Sequence, residues 1–137
     1  MTHYILWRPF YNVNIQEIDD QHKGLVEIIN LTTYAKTKNH PEKLKEILTK
    51  LIEYTHVHFK FEEEHMQKNG YNKLIEHQGQ HQVLIKQVVS ILEQLKKGDK
   101  EILENIFSIL ENWLIKHIKE HDKEYGLFYE REIKSNL

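Results

Sequence analysis

The sequence predicts an all-α protein, an up-down-up-down antiparallel four-helix bundle with an extended N-terminal arm. Four long stretches carry apolar residues at steps of three and four, which is the spacing of one helix face. The links between these stretches are short and contain Pro41, Gly70 and Gly98, residue types that begin or end helices. No stretch alternates between apolar and polar residues as a strand would. At 137 residues, the bundle forms one domain.

The elements follow in order along the chain. Residues 1–17 lack helical spacing and are rich in aromatic side chains, so we predict an extended arm whose aromatics pack onto the helices. The helices are predicted at about 19–37, 41–68, 72–97 and 100–121. Asp19 or Asp20 can cap the first helix, and Asp99 can cap the fourth. Residues 125–137 form a tail that keeps some helix.

Composition excludes several classes of function. The formal charge is −2 and there is no cysteine, which rules out disulfides, thiolate metal sites and cysteine nucleophiles. Mixed lysine and glutamate faces give no basic surface for nucleic acid. No stretch approaches the roughly 20 apolar residues of a membrane span, and the N-terminus lacks a signal-peptide core. We therefore expect a monomeric cytoplasmic protein that neither binds nucleic acid nor inserts into a membrane.

Ten histidines are the compositional oddity of the chain. His58 and Glu62 lie four residues apart before Gly70, and His77 and His81 lie four apart after it. Residues four apart share one helix face. Because the two pairs stand at nearly equal distances from Gly70, they meet at the same height when the helices fold back on each other. This pattern predicts a metal site inside a helical hairpin.

The same counting across the other two links brings His22 and His117 to this height. One layer at one end of the bundle is therefore predicted to hold His22, His58, Glu62, His77, His81 and His117. Five imidazoles and a carboxylate exceed the ligands of one tetrahedral zinc ion. Nitrogen and oxygen ligands in this number suit a pair of iron ions bridged by carboxylate.

A second bridging carboxylate is expected from the fourth helix, where spacing leaves two alternatives. His121 lies four residues after His117 and shares its face, so straight-helix geometry favours it. Asp122 lies five residues after His117, about 140° round a straight helix. A role for Asp122 requires a local bulge or a helix that is close to its end.

These residues resemble the hemerythrin family, specifically its single-domain bacterial members. The resemblance spans most of the chain and rests on five segments: Ile18-Asp19-Asp20-Gln21-His22-Lys23; His58-Phe59-x-x-Glu62-Glu63; Met66 with Gly70-Tyr71; His77-x-x-x-His81; and Trp113-Leu114-x-x-His117-Ile118-x-x-x-Asp122-Lys123. Asn14, Asn72, His65 and His121 depart from the usual family residues, but none of these departures removes a ligand.

The resemblance implies a non-haem di-iron centre with two iron ions (Fe2+/Fe3+) and a bridging oxo or hydroxo group. One ion would take three histidines, and the other would take two and keep a position open for dioxygen. The implied ligands are His77, His81 and His117 for the first ion, His22 and His58 for the second, and Glu62 and Asp122 as bridges. The implied apolar pocket around dioxygen consists of Phe59, Trp113, Leu114 and Ile118.

The sequence and the resemblance together predict reversible dioxygen binding, for transport, storage or local delivery to an oxygen-consuming enzyme. One alternative is a di-iron enzyme that acts on peroxide, nitric oxide or ferrous iron. Another is an iron-supply or repair protein whose cargo is the metal. We expect His3, His40 and His56 to be ordinary solvated or core histidines, and His65 to be structural or exposed, because His65 lies too far along the helix to reach the same ion.

Overall fold

The fold was obtained as a computed structural model, which describes residues 4–38 and 40–137. Its α-helices in these ranges are α1 (Gln16–Thr37), α2 (Pro41–Lys68), α3 (Leu74–Lys96), α4 (Lys100–His117) and α5 (Lys123–Phe128). Helix α1 packs against α2, α2 against α3 and α3 against α4, and α1 also packs against α4. Short links between consecutive neighbours make the bundle antiparallel, and the predicted fold class is confirmed.

The predicted boundaries hold best where a single residue type determines them. Helix α2 has the predicted bounds, with Pro41 as its first residue. Gly70 and Gly98 adopt φ of 67° and 83°, the left-handed conformation that ends helices and that glycine adopts without strain. The Asp99 carboxylate accepts the backbone N–H of Ile102 at 3.1 Å and caps α4, as predicted.

The start of α1 differs from the prediction. The helix begins at Gln16, and no side chain caps it. Asp19 instead accepts the backbone N–H groups of Val13 at 2.7 Å and Asn14 at 3.1 Å, and Asp20 accepts the side-chain amide of Gln16. The predicted cap is wrong because the Asp19 carboxylate holds the arm. Helix α3 also begins later than predicted, at Leu74.

The fourth helix continues as far as Asn136, and its hydrogen-bonding pattern changes several times along the way. A π-helical turn, Ile118–Asp122, follows α4 and leads into α5. A second π-helical turn, Tyr129–Ile133, and a 3-10 turn, Lys134–Asn136, complete the tail. The prediction that the tail keeps some helix is confirmed.

The N-terminal arm lies against the bundle, with a 3-10 turn at Pro9–Tyr11. Ile5 is buried, and its backbone N–H and carbonyl both bond to the side-chain amide of Asn30. Phe10 is 51% exposed, so not every arm aromatic packs inward as predicted. Residues 1–3 of the predicted arm and Asn39 of the first link lie outside the described residues.

Two apolar cores lie along the bundle. The larger core fills the part where α1 to α4 pack together, and its fully buried residues include Leu48, Val88 and Leu110. The smaller core joins the arm to the tail through residues such as Val13 and Tyr125. The layer of predicted ligands lies between the two cores. Within residues 4–38 and 40–137, no helix combines the length and the apolar character that a membrane span needs.

Candidate metal centre

The structure brings all seven predicted ligands together in one buried layer. Each is at most 5% exposed, and they come from every helix of the bundle: His22 on α1, His58 and Glu62 on α2, His77 and His81 on α3, His117 on α4, and Asp122 at the end of the π-helical turn. The four-residue spacing in α2 and α3 directs each pair to the bundle axis, as helix geometry requires.

The ligand atoms form two groups that share their carboxylates. The three-histidine group contains Glu62, His77, His81, His117 and Asp122, and the two-histidine group contains His22, His58, Glu62 and Asp122. Within each group the ligand atoms lie within 4.8 Å of one another. The arrangement therefore offers two adjacent groups of potential metal ligands that share both carboxylates.

Glu62 directs one oxygen toward each group. Its Oε1 lies 2.8 Å from Nε2 of His77 and 3.0 Å from Nε2 of His81. Its Oε2 lies 3.2 Å from Nε2 of His58 and 3.5 Å from Nε2 of His22. A carboxylate with one oxygen toward each set of imidazoles has the geometry of a bridging ligand.

The two carboxylate oxygens of Asp122 also face different ligand groups. Its Oδ1 lies 3.0 Å from Nε2 of His77 and 3.1 Å from Nε2 of His117, whereas its Oδ2 lies 2.9 Å from Nε2 of His22. The π-helical turn makes this possible, because a π-helix closes its hydrogen bonds over five residues rather than four. His121 lies outside the cluster and is partly exposed. The structure thus places the Asp122 carboxylate, and not the His121 imidazole, within the buried cluster.

The unsatisfied atoms of the layer test whether metal ions fit there. Among the described residues, buried polar atoms without a hydrogen-bond partner include Nε2 of His22, His58 and His117, Oε2 of Glu62, and both carboxylate oxygens of Asp122. Several of them lie close to each other yet are not aligned for hydrogen bonds, as expected when the lone pairs point to a third atom between them. Buried charges in proteins are paired or coordinate metals. The donor set fits two ions that accept nitrogen and oxygen ligands.

When no ion is bound, the histidines themselves compensate the charges of the buried carboxylates. Burial opposes the charged form of His22, but its contacts with Asp122 and Glu62 prevail and raise its pKa to about 9. The same competition raises the pKa of His77 to about 10. Burial alone would raise the pKa of Glu62, yet the surrounding imidazoles, His58 foremost, hold this pKa well below its usual range. Two protons on imidazoles therefore balance the two carboxylates until metal ions displace them.

Two residues around the layer hold ligands in place, and sequence reasoning gave neither of them a role. Nδ1 of His81 donates to Oε2 of Glu63 at 2.7 Å, and Nδ1 of His58 donates to Oε1 of Gln21 at 2.6 Å. Each bond leaves the Nε2 lone pair of the histidine free for a metal ion. Both residues stand next to a ligand in the sequence, but adjacency alone does not reveal which histidine they contact.

A narrow gap, here called the inner gap, lies beside the two-histidine group. Its lining consists of His22, His58, Phe59, Leu84, Trp113, Leu114, His117 and Asp122, and it is too narrow for a free water molecule. The Trp113 indole N–H donates to the backbone carbonyl of Leu84 at 3.0 Å. Three of the four predicted pocket residues line this gap. Ile118 is fully buried in the larger core instead, and Leu84 was not predicted.

The remaining histidines separate into two kinds. His40 and His56 are exposed, whereas His3 lies outside the described residues. His65 is partly buried, and its Nδ1 lies 2.5 Å from the Tyr125 hydroxyl, which is itself buried. His65 therefore has the structural position expected of it, linking α2 to the tail.

Comparisons with known proteins agree with this geometry. Residues 13–127 match the family model of the hemerythrin HHE cation-binding domain. A bacteriohemerythrin of Methylococcus capsulatus is 34% identical over 117 residues, which is 85% of this chain and 88% of that protein. A bacteriohemerythrin of Stenotrophomonas maltophilia is 31% identical over 122 residues, covering 89% of this chain and 79% of that protein.

The fold agrees with a solved structure as well. A crystal structure of wild-type hemerythrin superposes with a TM-score of 0.82 at 28% identity, covering 91% of this chain and 97% of that chain. The four-helix architecture, the buried histidine and carboxylate layer, and the match over residues 13–127 lead to one assignment: the chain belongs to the hemerythrin HHE cation-binding family.

Proposed function

We propose that this chain binds dioxygen reversibly at a non-haem di-iron centre. The observation that carries the proposal is the inequality of the two ligand groups together with the position of the inner gap. The three-histidine group offers one imidazole more than the two-histidine group. The gap touches both histidines of the smaller group, His22 and His58, but only His117 of the larger group. A free coordination position on the ion held by His22 and His58 would therefore face the apolar space.

The ligand roles follow the two groups. His77, His81 and His117 would hold one ion, His22 and His58 would hold the other, and Glu62 and Asp122 would span the pair beside an oxo or hydroxo bridge. When bound as ferrous ions, the metal pair supplies two electrons that a dioxygen molecule can take up and return. These residues would hold the ions rigidly, since they come from all four helices of a closed bundle.

The inner gap favours reversible binding over turnover. Apart from the ligands themselves, its lining is made of Phe59, Leu84, Trp113 and Leu114. The one N–H among these side chains, on Trp113, is held by the carbonyl of Leu84 and does not serve the gap. A dry lining without an independent proton donor disfavours the proton-consuming reduction of oxygen. The enzyme alternative would need such a donor.

The spectroscopic test uses iron-loaded protein reduced under anaerobic conditions. Its visible spectrum is recorded before oxygen, after oxygen, and after oxygen removal. We expect an absorption band that appears with oxygen and vanishes on its removal. Direct conversion to a stable ferric form would refute the carrier function, and turnover of peroxide, nitric oxide or ferrous iron would then be assayed.

A pair of variants locates the band at the proposed site. His58→Gln removes a ligand of the two-histidine group, so we expect it to abolish the oxygen-dependent band. His56→Gln changes the same residue type at an exposed position two residues earlier on α2 and should leave the band unchanged. Equal loss in both variants would argue against the proposed ligand set. The monomeric state, the cytoplasmic location and an oxygen-consuming recipient remain predictions from the sequence.

A further inference from the structure

The two histidines with outer hydrogen bonds belong to different ligand groups. His81, whose Nδ1 donates to the Glu63 carboxylate at 2.7 Å, lies in the three-histidine group. His58, whose Nδ1 donates to the Gln21 amide oxygen at 2.6 Å, lies in the two-histidine group. One group therefore has an anionic outer partner, and the other has a neutral one.

His22 is the other imidazole of the two-histidine group. Its Nδ1 is buried without a hydrogen-bond partner among residues 4–38 and 40–137. Glu63 has a side chain that is 26% exposed, so its charge is only partly screened by solvent. Among these outer hydrogen-bond partners, the negative charge therefore lies beside the three-histidine group.

The aromatic ring of Phe59 holds the contact between Glu63 and His81 in place. Phe59 stacks on the His81 imidazole with the ring centroids 3.7 Å apart and an interplanar angle of 3°. The stacking fixes the plane of the His81 imidazole, and the hydrogen bond to Glu63 fixes the rotation of the imidazole within that plane. Such outer partners orient metal-binding histidines and increase their basicity, which typically alters metal affinity or activity by about 10- to 100-fold.

We propose that Glu63 is a positioning residue that directs oxidation to the ion held by three histidines. This inference rests on the proposed di-iron centre. An imidazole that donates to a carboxylate stabilises the ferric state of its ion, whereas an imidazole that donates to an amide does so less. A centre that has lost one electron therefore holds ferric iron in the three-histidine group and ferrous iron in the two-histidine group. The ion beside the inner gap is then the ferrous ion of the half-oxidised pair, which holds one of the two electrons that dioxygen takes up.

The test is an anaerobic redox titration of the iron-loaded protein, in which ferricyanide accepts one electron per centre and becomes ferrocyanide. Glu63→Gln keeps the size and removes the charge, and Glu64→Gln removes the same charge from the exposed neighbouring residue. We expect Glu63→Gln to disfavour the ferric state about tenfold, which raises the first midpoint potential by about 59 mV. The Glu64→Gln control should shift it much less.

A double variant that exchanges the two outer partners tests whether the carboxylate determines which ion is oxidised first. Gln21→Glu with Glu63→Gln moves the charge to the two-histidine group. We expect the ferric state of the half-oxidised centre to shift with this charge to the ion beside the open position. Azide would bind at that position, so its charge-transfer band to ferric iron, weak in the natural protein, should become strong. Equal shifts in Glu63→Gln and Glu64→Gln, or an unchanged azide band in the exchange variant, would overturn the inference.

These measurements separate the inference from the proposed function. The potentials and the azide band are recorded without dioxygen, so a protein that fails to bind oxygen reversibly still reports the effect of Glu63. A chain that takes up fewer than two iron ions would instead refute the centre itself, and the inference with it.

Discussion

Asp122 and His117 meet across a π-helical turn: Oδ1 of Asp122 lies 3.1 Å from Nε2 of His117 although the two residues are five apart. In a straight α-helix these side chains would point about 140° away from each other. The wider turn returns Asp122 to the bundle axis and moves His121 toward the surface. One carboxylate thereby spans both ligand groups.

We expect Asp122→Ala to reduce the iron content from two ions per chain to one or fewer, because both groups lose a shared oxygen ligand. Iron content after loading and desalting gives the measurement. Glu120→Ala is the matched control, since Glu120 lies in the same turn with a side chain that is 53% exposed. Two tightly bound ions in Asp122→Ala would contradict the bridging role.

The metal-free protein should lose stability as the pH rises through 9 to 10. His22 and His77 have pKa values raised to about 9 and about 10 in the folded chain, against about 6.5 in an unfolded chain. Their contribution to the free energy of unfolding is therefore complete below about pH 6.5 and lost progressively above it. The groups that face them are the carboxylates of Glu62 and Asp122 and the imidazoles of His58, His81, His117 and His121.

Urea unfolding of the metal-free protein at several pH values measures this dependence. Loading with iron should remove most of it, because the ions replace the two protons. A metal-free protein whose stability is constant between pH 6.5 and 10 would contradict the charge balance derived for the layer.

Leu84→Ala should let water and oxygen reach the centre more easily. Leu84 and Trp113 line both the inner gap and a surface cavity of about 350 Å³ between α3 and α4. Removing the Leu84 side chain joins the two spaces, so we expect faster oxygen binding and faster irreversible oxidation to the ferric form. Stopped-flow absorption and the decay of the oxygenated spectrum measure the two rates.

Val83→Ala is the control for that change. Val83 is 54% exposed and lines only the surface cavity, so both rates should stay close to those of the unmodified chain. If Val83→Ala and Leu84→Ala increase the rates equally, oxygen does not pass between Leu84 and Trp113.

Gly126→Ala should destabilise the protein by about 1–3 kcal/mol through overpacking. A Cβ atom at Gly126 would collide with the backbone carbonyl of Val13, which Asp19 holds in position through the Val13 N–H. Gly79→Ala has open space around the added atom and should stabilise α3 by up to about 1 kcal/mol. Urea unfolding compares the two, and a loss of stability in Gly79→Ala would argue against the described exposure of α3.

The sequence predicted the elements that local chemistry determines. Pro41 and Gly70 act through their own backbone conformations, so the bounds of α2 were correct. Asp19 was assigned to the wrong partner because its carboxylate bonds to the arm at Val13 and Asn14, a tertiary choice that capping preference does not reveal. Asn14 itself has a φ of 67°, a left-handed conformation that asparagine tolerates better than most residues.

The candidate site was predictable in part. Four-residue spacing brought His58, Glu62, His77 and His81 to one height, because helix geometry alone governs that relation. Asp122 was selected only through family resemblance, since a π-helical turn leaves no reliable mark on residue spacing. Leu84 and the partners of the Nδ1 atoms depend on which side chains face each other between helices, and a single sequence does not contain that information.

The division of the ligands among the helices has a kinetic consequence. One ion would draw on three separate segments, α1, α2 and the π-helical turn, and the other would draw on four, α2, α3, α4 and the π-helical turn. Fraying of a single helix end therefore does not free either ion from all of its ligands. Release of iron should proceed at the rate at which the whole bundle opens, which suits a resident cofactor better than a cargo handed to another protein.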